Sequence, residues 1–181
     1  MARTQVFVGA SLDGFIAGPN DELDWLGGGQ DGEQAQAQQS FHESFAKIGV
    51  VLMGRRTYDV VCGFPGPWPY GETPMLIATS RPLHAVRAGV RAVTGSISAL
   101  VEQAKAVAGG RDVYVDGGQL IRSALDADLI DEITVTIVPM VLGAGIPLFA
   151  GAARRHPLKF LEQRVLGGAA VQLRYEPRTP R

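Results

Sequence analysis

Val51, Leu52, Met53, Gly54, Arg55, Arg56, Thr57 and Tyr58 read as an apolar strand that stops at a glycine and passes into a helix whose first turn carries two arginines and a hydroxyl. Val113, Tyr114, Val115, Asp116, Gly117, Gly118 and Gln119 repeat the pattern with paired glycines. In open α/β sheets ligands bind beyond the carboxyl ends of the strands, where a following helix points free amides and a partial positive charge outward. A glycine at a strand end also serves simply as a turn. An arginine pair at a helix start also fits a solvated surface pair, although cations are disfavoured beside that end unless an anion offsets them.

Outward from these turns, strands and helices alternate. Gln5 to Ala10 reads as a strand, followed by a turn-rich stretch with Asp13, Gly14, Gly18, Pro19, Asn20 and Asp21, and by a flexible run Gly27, Gly28, Gly29. Glu33 to Lys47 places Ala37, Phe41, Phe45 and Ile48 on one helical face. Val50 to Met53 follows as a strand. Arg56 to Val61 suits a short helix, ended by Pro65, Pro67 and Pro69. Met75 to Thr79 and Val90 to Val93 are strands. Ser96 caps a helix through Leu100, Val101, Ala104 and Val107 that Gly109 and Gly110 stop.

Asp112 to Val115 is a strand, and Gly117 and Gly118 open a helix bearing Leu120, Ile121, Ala124 and Leu125. Ile133 to Val138 runs through the core. Leu158 to Val165 and Ala169 to Tyr175 alternate as antiparallel strands around a turn at Gly167 and Gly168. The order predicts an α/β fold: a mixed, mainly parallel central sheet flanked by helices, with antiparallel C-terminal strands.

The chain has 181 residues, 46% of them hydrophobic, and 17 Lys plus Arg against 18 Asp plus Glu, for a formal net charge of -1. That predicts one domain over residues 1–181 with its own core, and no nucleic-acid partner, since phosphate contacts need gathered Lys and Arg. One cysteine, Cys62, excludes an internal disulfide framework and any multi-thiolate metal site. No apolar run reaches the roughly 20 residues that span a bilayer. The N-terminal residues lack a signal-peptide pattern, so a cytoplasmic location is expected, with no membrane and no metal.

Ala78, Thr79, Ser80, Arg81 and Pro82 end the next apolar strand with hydroxyls and another guanidinium. A dinucleotide with a 2′-phosphate needs such a pocket, because the planar arginine fork bonds phosphate bidentately. The G-x-G-x-x-G fingerprint is absent from the first strand and turn, so a nicotinamide cofactor would bind in a different fold from the Rossmann one.

Ala10 to Ala17 (Ala-Ser-Leu-Asp-Gly-Phe-Ile-Ala), Met53 to Tyr58, Thr79 to Pro82, Val115 to Gln119 and Pro139 to Phe149 together resemble the dihydrofolate-reductase-like superfamily. Within it the chain is similar to the reductase domain of riboflavin biosynthesis, the RibD C-terminal domain, and its stand-alone relatives. The resemblance implies an NADPH-dependent reductase acting on a small heterocycle, carbonyl or imine. Carried over by motif, Gly54, Arg55, Arg56 and Thr57 would hold phosphates, with Arg55 on the 2′-phosphate. Thr79, Ser80 and Arg81 would frame the adenosine end. Gly117, Gly118, Gln119 and Leu120 would receive the pyrophosphate, and Ala10, Ile16 and Ala17 would line the nicotinamide. A homodimer through the C-terminal β region is also implied.

True dihydrofolate reductases carry a carboxylate in the first helix, and the resemblance brings Gln38 to that place. A glutamine amide is no acid, so folate reduction is disfavoured. Asp13, Asp24, His42, Tyr58 and Asp116 are candidate proton donors, although Asp13, standing before Gly14, reads first as an Asx-type turn residue. Trp25 suits stacking on a planar ligand, a lid or the core. A phosphoribosylamino-pyrimidine substrate would need a further cationic clamp. The first helix and its loop offer none, and Arg87, Arg91 and Arg122 read as scattered surface charge. Two alternatives stay open: an NADP(H)-binding protein with little turnover, or a flavin or pterin in the same cleft.

Overall fold

The computed structural model describes residues 2–27, 31–65, 67–167 and 169–178. Gly28, Gly29 and Gly168 lie outside the described residues, as does the Ala37 side chain.

The strands are β1 (Thr4–Ser11), β2 (Phe15–Ala17), β3 (Ile48–Gly54), β4 (Met75–Ala78), β5 (Val90–Val93), β6 (Asp112–Asp116), β7 (Glu132–Val138), β8 (Ile146–Pro147), β9 (Leu158–Leu166) and β10 (Ala170–Pro177). The α-helices are α1 (Asp31–Phe45), α2 (Arg55–Cys62), α3 (Ile97–Ala108) and α4 (Gly118–Asp126), with a 3-10 helix at Asp24–Gly27. Eight strands form one sheet in the order β5-β4-β3-β6-β1-β7-β10-β9, while β2 and β8 pair separately. Neighbours from β5 to β7 run parallel, and β10 and β9 are antiparallel additions at one edge.

The strands covered on both faces are continuously apolar: Ile48, Val50, Val51, Leu52 and Met53 in β3 have no exposed surface. Their alternation splits the core. Val6, Val50, Leu52, Val113 and Val115 pack with Leu100, Val101 and Ile121 of α3 and α4. Phe7, Val51, Met53 and Tyr114 pack with Tyr58 and Val61 of α2, and Phe41 and Phe45 of α1 join them. Phe41 and Phe45 stack at 5.3 Å and 17°.

Helix α1 is also held by polar bonds across 132 residues: Ser40 Oγ donates to Gln172 Oε1 (3.1 Å), and Gln172 Nε2 donates to Thr136 Oγ1 (3.2 Å). The Ser96 side chain caps α3 by accepting from the Ala99 N–H, and Gly109 closes it in the left-handed region. No helix among the described residues is long and apolar enough to cross a membrane.

Candidate functional site

Parallel register sets Met53 beside Asp116, so β3 and β6 finish together and Gly54 and Gly117 stand side by side. Helices α2 and α4 start there, and their first amides have no intrahelical acceptor. Gly117 has φ 103°, and a Cβ on it would meet Thr57 Oγ1 at 2.7 Å. The two turns therefore lie closer than any side chain permits.

They open into a cleft of about 860 Å³, a size typical of small-molecule sites. Its lining brings together Ile16, Ala17, Gly54, Arg55, Arg56, Thr57, Arg81, Gly117, Gly118, Gln119 and Leu120 from the sequence reading. Among the described residues, four guanidiniums, Arg55, Arg56, Arg81 and Arg122, face two lining carboxyl groups, Asp21 and Asp116. A chain of net charge -1 thus concentrates positive charge at this one place.

The arginines are held in fixed poses. Arg55 Nε donates to Asp59 Oδ1 (2.7 Å) and its Nη1 to the Pro82 carbonyl (2.8 Å). Arg81 Nη2 stands 3.8 Å from the other oxygen of Asp59, so one carboxylate aligns two guanidiniums. Arg56 Nε lies 2.8 and 3.0 Å from the two Asp21 oxygens, which turns it towards the first turn of the chain.

Several expected positions differ. Ala10 is buried among the residues packed under α3 and α4, and Gly9 lines the cleft instead, because successive strand residues point to opposite faces. Thr79 and Ser80 lie outside the lining; the Thr79 hydroxyl accepts from the Arg81 N–H at 3.1 Å and shapes that turn. Gln38 is exposed and outside the lining, and Phe41, three residues on, reaches the cleft from α1. Arg122 is no scattered surface charge: its Nη1 donates to the Pro147 and Leu148 carbonyls at 2.8 and 3.1 Å.

The candidate acids separate by environment. Asp13 accepts from Ser11 Oγ (2.6 Å), Leu142 N (3.1 Å) and Gly143 N (2.7 Å), joining the first turn to the segment before β8. The Ser11 bond, ahead of the two amide bonds, holds its pKa below the ordinary value. Trp25 is buried, and its Nε1 donates to the Glu22 carbonyl at 3.0 Å. Asp24 and His42 are exposed, Tyr58 is buried, and none of the three lines the cleft.

Asp116 does line it, and Tyr70 Oη donates to Asp116 Oδ2 at 3.3 Å. Burial pushes the Asp116 carboxyl above the ordinary carboxylate range, against the opposing pull of bonds from Tyr114, the Gly117 amide and Tyr70. Burial, and then the neighbouring Asp116, keeps the Tyr70 and Tyr114 hydroxyls protonated well beyond their usual range. A cleft carboxyl group whose pKa burial raises is suited to general acid work.

The sheet order, the antiparallel edge and the cleft at the carboxyl ends of β3 and β6 define a dihydrofolate-reductase-like α/β fold. The chain belongs to the RibD C-terminal domain family, whose model matches residues 3–171. It is 29% identical over 181 residues to the uncharacterized protein YwjB of Bacillus subtilis (strain 168), covering 96% of this chain and 97% of that one. The crystal structure of a putative riboflavin biosynthesis protein from Shewanella sp. PV-4 superposes with a TM-score of 0.80 at 28% identity, over 99% of this chain and 100% of that one. Dihydrofolate reductase from Enterococcus faecalis, in complex with NADP(H), shares the fold at a TM-score of 0.67 and 16% identity, over 98% and 97% of the two chains.

Proposed function

We propose that the protein is an NADPH-dependent reductase, related to the riboflavin-pathway reductase, that transfers hydride to a small heterocycle, carbonyl or imine. The observation that carries this reading is the convergence of two glycine-opened helix starts with four guanidiniums in one cleft. The cradle fits a dinucleotide phosphate: Gly54, whose added Cβ would meet only the Asp116 carbonyl at 4.0 Å, leaves the backbone open to close approach.

NADPH, when bound, supplies the hydride. The first amides of α2 and α4, with Gly54 to Thr57 and Gly117 to Leu120, bind its phosphates. Arg55 and Arg81, pre-aligned on Asp59, take the 2′-phosphate, with Thr79 and Ser80 shaping the same turn. Gly9, Ile16 and Ala17 border the reactive ring. Asp116 holds a proton for the acceptor atom of the substrate and regains one from solvent. The protein works in the cytoplasm as a homodimer.

Titration of the purified protein with NADPH and NADH, by calorimetry or tryptophan quenching, tests the reading. Micromolar NADPH affinity with weaker NADH binding is expected. Arg55→Ala should weaken NADPH by about 1–3 kcal/mol and NADH far less. Equal losses for the two cofactors would reject the 2′-phosphate assignment, and binding of neither would reject the cofactor reading.

A further inference from the structure

The cleft draws its charge and its apolar surface from different elements. The guanidiniums arrive from the start of α2, the turn after β4 and α4. The remaining wall comes from β1, the segment leading to α1, α1 itself and the segment after α2, and supplies Phe7, Leu23, Leu26, Phe41, Phe64 and Tyr70. Tyr70 meets Phe41 edge to face at 6.5 Å between centroids and carries the hydroxyl that bonds Asp116. Gly9 has no side chain there, and a Cβ on it would meet Leu26 Cδ2 at 2.8 Å, so Leu26 closes directly over β1.

The segments that build this aromatic wall carry no cation of their own, residues 63–74 included. From Thr4 to Ala46 the sequence contains no Lys or Arg and seven carboxylates. Among the described residues, each cleft arginine is already engaged: Arg55 with Asp59 and Pro82, Arg81 with Asp59, Arg122 with Pro147 and Leu148, and Arg56, the one turned towards the segment leading to α1, with the carboxylate of Asp21, which offsets its charge. A phosphate or carboxylate seated against Phe41 and Tyr70 would lose its water and find, beside the single proton of Asp116, no cation on these segments to offset its charge. A flat uncharged ring there gains aromatic contacts on several sides.

We infer that the molecule reduced by this protein is an uncharged planar aromatic or heteroaromatic compound, without phosphate or carboxylate, seated against Phe41, Phe64 and Tyr70 and facing Asp116. The inference rests on the reductase reading for the word reduced, and it separates this chain from a reductase of phosphorylated ribosyl-pyrimidines.

The test measures equilibrium binding to the full chain, with and without saturating NADPH, for two matched pairs: 1-naphthol with 1-naphthyl phosphate, and pyridoxine with pyridoxine 5′-phosphate. In both pairs the uncharged member should bind at least tenfold more tightly, and Phe64→Arg should narrow or reverse that ratio. Phosphorylated members that bind as well or better would overturn the inference, as would failure of both uncharged compounds to bind. Retention of the tenfold preference in a protein that binds neither nicotinamide cofactor would sink the reductase reading alone, leaving the ligand class in place.

Discussion

Asp116 is the residue on which chemistry and stability meet. Its folded pKa is raised by burial, so between the ordinary value of about 3.9 and that raised value the native chain holds a proton that the unfolded chain releases. With more protons bound in the native state, stability falls as pH rises through that window. Asp116→Asn removes the titration, and urea midpoints measured upward from pH 4 should then fall less, or rise more, with pH than those of the unsubstituted protein. If Asp116 supplies the proton, the same substitution lowers kcat by about 100- to 10,000-fold, with NADPH affinity little changed. Unaltered turnover with a flattened stability profile would leave Asp116 a structural group only. Asp116 stands in the sequence as one of several candidates; what singles it out is contact with Tyr70, 46 residues away. The pairings Asp21 with Arg56 and Asp126 with His156, 35 and 30 residues apart, were equally invisible to local spacing.

At the scale of elements, long periodic segments were legible and short ones were not. The strands from Ile48 and Asp112 and the helix capped by Ser96 announce themselves through apolar runs, a cap and a closing glycine. Strands β2 and β8, of three and two residues, carry no period to detect. They matter because they roof the cleft: the Leu148 N–H donates to the Gly14 carbonyl at 2.9 Å, Asp13 grips the backbone at Leu142 and Gly143, and Arg122 ties Pro147 to α4. Within the run Pro139 to Phe149 the two residues of β8 leave nothing periodic to mark this pairing. Gly145 is where the pairing is tightest, since φ is 156° and a Cβ would lie 2.1 Å from the Ala17 carbonyl oxygen. Backbone cannot swing aside as a side chain can, so Gly145→Ala should cost about 1–3 kcal/mol in denaturant unfolding. NADPH titration of the same variant should show weaker binding, because Ala17 and Pro147 both line the cleft. Unchanged stability and affinity together would mean that β2 and β8 do not shape the site.

For the whole molecule, the asymmetry of the sheet is the guide. Helix α1 bonds Gln172 from one side of β10, so Val171, Leu173 and Tyr175 point to the other side, where they are only half-buried. Strand β9 forms the edge, and Val165, paired with Val171, is 65% exposed, while Phe160, against Tyr175 at 5.9 Å, is 53% exposed. Large apolar side chains gathered along an edge strand invite another chain to cover them. A second copy, meeting the same face across a two-fold axis, would be self-complementary and would close the contact at two subunits. A stable contact of this kind needs about 800 Å² from each partner. Light scattering during size-exclusion chromatography should therefore give twice the monomer mass at micromolar concentration. Val165→Glu with Phe160→Glu should give the monomer, because each would place charge in the centre of the contact. A monomeric unsubstituted protein would sink the proposal. A dimer unmoved by both substitutions would place the interface on another face, with these edge residues left to solvent.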